Sequence, residues 1–245
     1  MTTTWRWVTA VVMAGLTASA AQAGESDFGP QGRTLIVRTY NSAGVPARDL
    51  AIAEATAGHV FEVIGIRVSW RHCESSRHAL PIALLQCDKP VTAAEVILRL
   101  GAAGPDAPQE YASMGFALVS PSAGRNSVLA TVFPDRVLDV ARSAGVDPCP
   151  LLGLAIGHEL GHLLLSTHAH ASSGLMRAIW SQAELRRTNP GGWRFLDDEA
   201  HLIQDEVTRR TSGCATEAQS VQSPNEYGGP YDWRADGCRH LREAR

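Results

Sequence analysis

The chain has 245 residues, 22 basic against 25 acidic side chains for a formal charge of −3, and 44% hydrophobic and 19% charged residues. That composition belongs to a soluble globular domain and excludes disordered and fibrous chains. The lack of a basic excess excludes a nucleic-acid or anionic-membrane binder.

Residues 1–23 read as a cleavable signal peptide, with Arg6 as the n-region charge, an apolar stretch from Trp7 to Ala20, and Ala21-Gln22-Ala23 as the small-x-small cleavage pattern. The apolar run is shorter than the roughly 20 residues a spanning helix needs. The chain from Gly24 is therefore expected to be exported, periplasmic or secreted, and without a membrane anchor. Export makes disulfides permissible. Proximity in sequence favours pairing Cys73 with Cys87 and Cys214 with Cys238, though sequence alone does not fix connectivity; Cys149 is then a spare, inert thiol.

From Gly24 onward, the β-branched run Thr34–Tyr40 predicts a first strand. Leu50, Ala53, Ala57, Val60, Phe61 and Ile64 recur at helical spacing over 48–64, stopped by Gly65, and Ile66–Trp70 predicts a second strand. Strand, helix and strand over this length predict a βαβ unit with parallel strands. Strands are further predicted at Glu95–Leu100, Gly115–Val119 and Ser127–Phe133, and a short helix at Asp135–Ser143. An apolar helix follows from Pro150 to Leu165. A last helix spans Leu196–Arg210, acidic at its start and basic at its end as the helix dipole favours. Residues 24–211 form one domain in this reading, and 212–245 a polar, irregular tail.

Chemistry enters at His158-Glu159-Leu160-Gly161-His162, an HExxH run inside the apolar helix. Residues four apart share a helix face, so both imidazoles reach one metal ion, while Glu159, about 100° around the helix, is placed for a water on that ion. Zinc is the expected metal, with Glu159 as general base for attack on a polarised carbonyl. His168 and His170 follow closely, so four of the nine histidines fall between positions 158 and 170. Met176 follows in Ser173-Gly174-Leu175-Met176-Arg177.

The spacing His158-Glu159-x-x-His162-x-x-Leu165-x-x-His168 resembles the HExxHxxGxxH zinc-binding run of the metzincin metallopeptidases, and Met176 sits where that clan places its Met-turn beneath the metal. HELGHLLL followed by HAH and GLMR is also similar to a group of small exported bacterial zinc proteases. The resemblance implies an α+β fold, with a twisted mixed sheet of about five strands over an active-site helix, a C-terminal helix and an irregular tail. It implies a secreted, monomeric zinc endopeptidase acting on protein or peptide chains, which add as a strand along an exposed edge at Gly115–Val119. The short stretch between cleavage site and first strand leaves the expectation of an enzyme active once exported and metallated.

Two departures bear on this. The clan has Gly where this chain has Leu165. If the helix runs through Leu165 and turns at Ser166-Thr167, His170 replaces His168 as third ligand. Ala178 stands where some members carry a Tyr. The competing, gluzincin-like arrangement takes a later Glu as third ligand, with Glu184 and Glu199 as candidates. His59, His72, His78, His201 and His240 read as solvated. An exported zinc-binding protein without hydrolytic activity, and a non-peptidase hydrolase on the same metal, remain as alternatives.

Overall fold

The computed structural model describes residues 33–73, 87–103, 113–120, 127–187 and 192–220, with 213–220 described by backbone alone. The signal peptide, the Cys214–Cys238 pairing, His78 and His240 fall outside the described side chains.

The fold is α+β. Strand β1 (Arg33–Asn41) leads through helix α1 (Ala47–Glu62) into β2 (Ile66–His72), followed by β3 (Glu95–Leu100), β4 (Gly115–Leu118) and β5 (Leu129–Val132). Helices α2 (Pro134–Ala144), α3 (Pro148–Leu165), α4 (Gln182–Leu185) and α5 (Asp197–Ser220) complete the described elements. The sheet order is β2-β1-β3-β5-β4. All neighbouring pairs are parallel except β4 with β5, so β4 is an antiparallel edge strand. The βαβ unit expected from the first strands is present, with β1 and β2 in parallel register from Arg33 opposite Ile66.

Helices α1, α3 and α5 pack together beneath the sheet. Leu35, Val37, Val96, Leu98 and Leu100 from the strands meet Ala53, Ala57 and Phe61 of α1 and Ile156, Leu160 and Leu163 of α3 in one core. Helix α3 is buried on nearly every side, as an apolar helix with no polar face must be. It starts at Pro148, two residues before the position expected, because Asp147 caps it: the Asp147 carboxylate accepts from the Cys149 N–H at 2.9 Å.

The opposite face of β1 carries a charge the strand pattern did not reveal. Arg38 is 2% exposed and pairs with the equally buried Glu95 at 2.6 Å. It also donates to the Lys89 and Pro90 carbonyls at 2.6 and 3.1 Å. The second Glu95 oxygen accepts from Arg71 at 2.5 Å. This cluster anchors residues 87–90 over the sheet, next to the Cys73–Cys87 disulfide, which is present.

Two elements differ from expectation. Helix α5 continues through Ser212 to Ser220, where an irregular tail was expected to begin; the absence of an apolar stripe there concealed helical backbone. The single-turn α4 was not foreseen. It is set by a local signal, a capping box in which Ser181 and Glu184 satisfy each other's backbone N–H groups.

The Arg38–Glu95 pair yields a stability prediction. Glu95→Ala leaves a buried guanidinium without its counter-charge and should cost about 3–5 kcal/mol. Arg71→Ala, at the cluster's more exposed end, should cost about 1 kcal/mol or less. Urea denaturation midpoints of the two variants would test the order; equal midpoints would refute it.

Candidate metal centre

His158, Glu159 and His162 lie on α3 and are 9%, 7% and 5% exposed. Each histidine spends its Nδ1 on a main-chain carbonyl, His158 on Leu175 O and His162 on Thr167 O, both at 2.8 Å. A carbonyl only accepts, so both Nδ1 atoms carry hydrogen, and in the neutral ring each Nε2 is then a bare lone pair. The two Nε2 atoms approach to 3.0 Å. Burial lowers the pKa of His158, and burial followed by the neighbouring His158 lowers that of His162 to about 4, so both rings are neutral near pH 7. Two converging lone pairs repel unless a cation lies between them. Nitrogens bound at about 2.0–2.1 Å to one tetrahedral ion lie about 3.3 Å apart, close to what is seen.

His170 completes the set. Its ring centroid is 5.3 Å from that of His158 and 4.8 Å from that of His162, and one donor atom from each of the three rings lies within 4.8 Å of the others. Among the described residues this is the group able to hold a metal ion. The structure does not bring His168 into it: the His168 ring lies 6.4 Å from that of His162 and lines the adjoining cleft. The cause is the helix end. Leu165 stays helical, and Ser166 takes the left-handed conformation with φ 52° that ends α3. The reversal comes at Ser166, one residue after the Gly of the HExxHxxGxxH pattern, and the chain beyond it brings the His170 ring closer to the pair than the His168 ring.

Met176 is buried beneath α3, and Gly161 makes room for it. A Cβ at position 161 would lie 2.6 Å from the Met176 sulfur and 2.8 Å from the Phe195 ring, so any larger residue would displace this floor. The turn preceding Met176 is held by Leu175 N–H to Arg194 O at 2.8 Å, and Ala171 N–H donates to Met176 O at 2.9 Å.

Glu159 faces the edge strand. A Cβ at Gly115 would come within 2.8 Å of Glu159 Cγ and 2.6 Å of Thr131 O, so Gly115 is what lets the carboxyl and β4 approach. Burial pushes the Glu159 carboxyl up to about 8. The site opens on a cleft of about 470 Å³ walled by β4, by Val140 and Ala155, and by Ala178, Ile179 and Trp180. Trp180 stands edge-on to His158 at 5.6 Å and rests on Trp193 at 5.0 Å. Another cavity of about 480 Å³, lined by Leu151, Leu154 and Trp193 among others, contains none of the clustered histidines.

Neither later carboxylate joins the cluster. Glu184 is engaged by Ser181 and by an ion pair with Arg177, which together hold its carboxyl down at about 2. Glu199 accepts from Leu196 N–H at the start of α5 at 2.8 Å. His59 and His201 are exposed, and His72 pairs with Glu54 at 2.9 Å. Cys149 is a free, half-buried thiol, raised in pKa by burial and by Asp49 and Asp147. The sequence reading missed Gly115, Trp180 and the Arg177–Glu184 pair. Only Gly115, a glycine opening a short strand, left a recognisable trace.

The Glu159 environment predicts a pH effect on the metal-free protein. Because the folded carboxyl titrates near 8 and the unfolded one near 4.5, the folded chain keeps a proton that the unfolded chain releases, and stability falls as pH rises through that window. After chelation, Glu159→Gln should match wild type near pH 4 and exceed it by up to about 4 kcal/mol at pH 8. Parallel stability curves across this range would contradict the assignment.

No family model and no curated protein sequence matches the chain. Among solved structures, it is similar to an archaemetzincin from Methanopyrus kandleri at 19% identity and TM-score 0.44, over 74% of this chain and 99% of that one. It is also similar to a zinc-dependent peptidase from Methanocorpusculum labreanum at 17% identity and TM-score 0.44, over 68% of this chain and 99% of that one.

Proposed function

We propose that the chain is an exported, zinc-dependent endopeptidase of the metzincin type, with His158, His162 and His170 as metal ligands and Glu159 as general base. The observation that carries the reading is the pair of Nε2 lone pairs converging at 3.0 Å with a third imidazole beside them, next to a buried carboxylate. Zinc fits an all-imidazole donor set with room for one further ligand, and when bound it acidifies water and polarises a carbonyl.

The protein's part follows from its side chains. Leu175 and Thr167 carbonyls fix the ring orientations and strengthen the imidazoles as donors. Glu159, which makes no hydrogen bond to the described residues, takes the proton of the attacking water in its ionised form, which a cation held beside it would favour against the effect of burial, and passes it to the leaving nitrogen. Among the described residues no strand pairs with the outer edge of β4, which borders the cleft, so an extended peptide adds there as a sixth strand. Export is supported by the Cys73–Cys87 disulfide, which needs an oxidising compartment to persist.

Glu159→Gln should keep one zinc per chain while hydrolysis of a quenched-fluorescent casein falls by at least about a hundredfold. Undiminished cleavage in that variant would end the general-base assignment. His170→Ala should weaken zinc binding by more than the roughly 10- to 100-fold that losing a ligand's hydrogen-bond partner costs. Edman sequencing of the exported protein should begin at Gly24; a mature chain still starting at Met1 would refute signal cleavage.

A further inference from the structure

The cleft contains a fourth imidazole that the metal set does not use. His168 lines the same cavity as His158, Glu159 and His170 and is exposed to it. Its ring lies 6.4 Å from that of His162 and makes no hydrogen bond or ion pair with the described residues. The backbone around it is nevertheless fixed. On one side Thr167 gives its carbonyl to His162 at 2.8 Å and its hydroxyl to the Ala169 N–H at 3.0 Å; on the other side the chain enters His170. The backbone that carries His168 is therefore fixed beside the histidine cluster, while its ring is left unengaged by the described residues.

Two other polar side chains of the cleft, Arg177 and Trp180, are committed or shut off. The Arg177 guanidinium is held by Glu184 and by the Gly174 carbonyl, and the Trp180 indole nitrogen is shut off from solvent. Peptide hydrolysis places negative charge on the former carbonyl oxygen, and a preorganised N–H at that oxygen is among the largest contributions a site can make. Imidazole carries an N–H in every protonation state available to it near neutral pH.

We propose that His168 is a catalytic residue that donates this hydrogen bond, which rests on the peptidase reading above. As the water oxygen bonds to the carbonyl carbon, its proton passes to Glu159 and the carbonyl π pair moves onto oxygen, where the His168 N–H meets it. The C–N bond then breaks, its electron pair leaves with nitrogen, and nitrogen takes the proton from Glu159. His168 neither gains nor loses a proton overall.

The test compares His168→Ala and His168→Asn with wild type and His170→Ala, each dialysed against zinc. His168→Ala should retain one zinc per chain, with unchanged affinity in competition with a chromophoric chelator. Its kcat on a fluorogenic peptide should fall about a hundredfold. Its affinity for a phosphinic pseudopeptide, whose tetrahedral anionic group stands in for the intermediate, should fall at least about tenfold by calorimetry. His168→Asn, which keeps a side-chain N–H, should recover part of both. Loss of zinc from His168→Ala would make His168 a ligand and overturn the proposal. A zinc-loaded His168→Ala with full activity and full inhibitor affinity would overturn it alone. A zinc-loaded wild type that cleaves no peptide in a mixed library would overturn the peptidase reading and this proposal with it.

Discussion

The carbonyls of Leu175 and Thr167 settle what the two buried histidines of α3 are able to do. By accepting from Nδ1, each carbonyl leaves its ring with a single lone pair, and both lone pairs are aimed at one point. Thr167 belongs to the turn that ends α3, and Leu175 to the turn above Met176. The centre therefore exists only when both turns have closed against the helix. This couples metal affinity to tertiary folding: a chain with α3 formed but the turns loose would have the right residues and no common focus. It also explains how an apolar helix tolerates three ionisable groups. Two have carbonyl partners, and the third, Glu159, is held toward its neutral form by burial against β4.

The faces of α3 divide the work. His158 and His162 share the face toward the cleft, Glu159 is turned toward β4, and Gly161 lies over Met176 and Phe195. At both Gly115 and Gly161 the chain has given up a side chain so that another can come close. The sheet supports this through its order. Four strands are parallel, and only β4 at one edge reverses, which brings its start to Glu159 and, among the described residues, leaves its outer edge without a partner strand. On the inner strands β1 and β3, Arg38 and Glu95 anchor residues 87–90 over the face opposite the helices.

Much of this was legible in the sequence because periodicity and motif spacing are local properties. The alternation in Thr34–Tyr40, the stripe of α1 and the HExxH run each define an element or a shared face within a few turns of chain. Where the sequence left a choice, it concerned a single backbone angle: a Gly-like turn at Leu165 or a reversal at Ser166. Ser is uncommon with positive φ, and the preference of Leu for helix is what moves the turn onto its neighbour. The burial of Arg38 could not be read from β1, since its partners come from residues 87–95, more than forty positions on. Glu184 looked like a possible ligand by type alone, and only its capping box and its pairing with Arg177 show it to be engaged elsewhere.

The edge-on contact of Trp180 with His158 has an optical consequence. With ring centroids 5.6 Å apart, the indole stands within van der Waals range of His158, one of the three imidazoles able to hold an ion. A paramagnetic or coloured ion such as Co²⁺ at that point would take excitation energy from Trp180, and through it from Trp193 at 5.0 Å. Loading of the centre would then register as dimming of the protein's own fluorescence, without a dye and without a substrate.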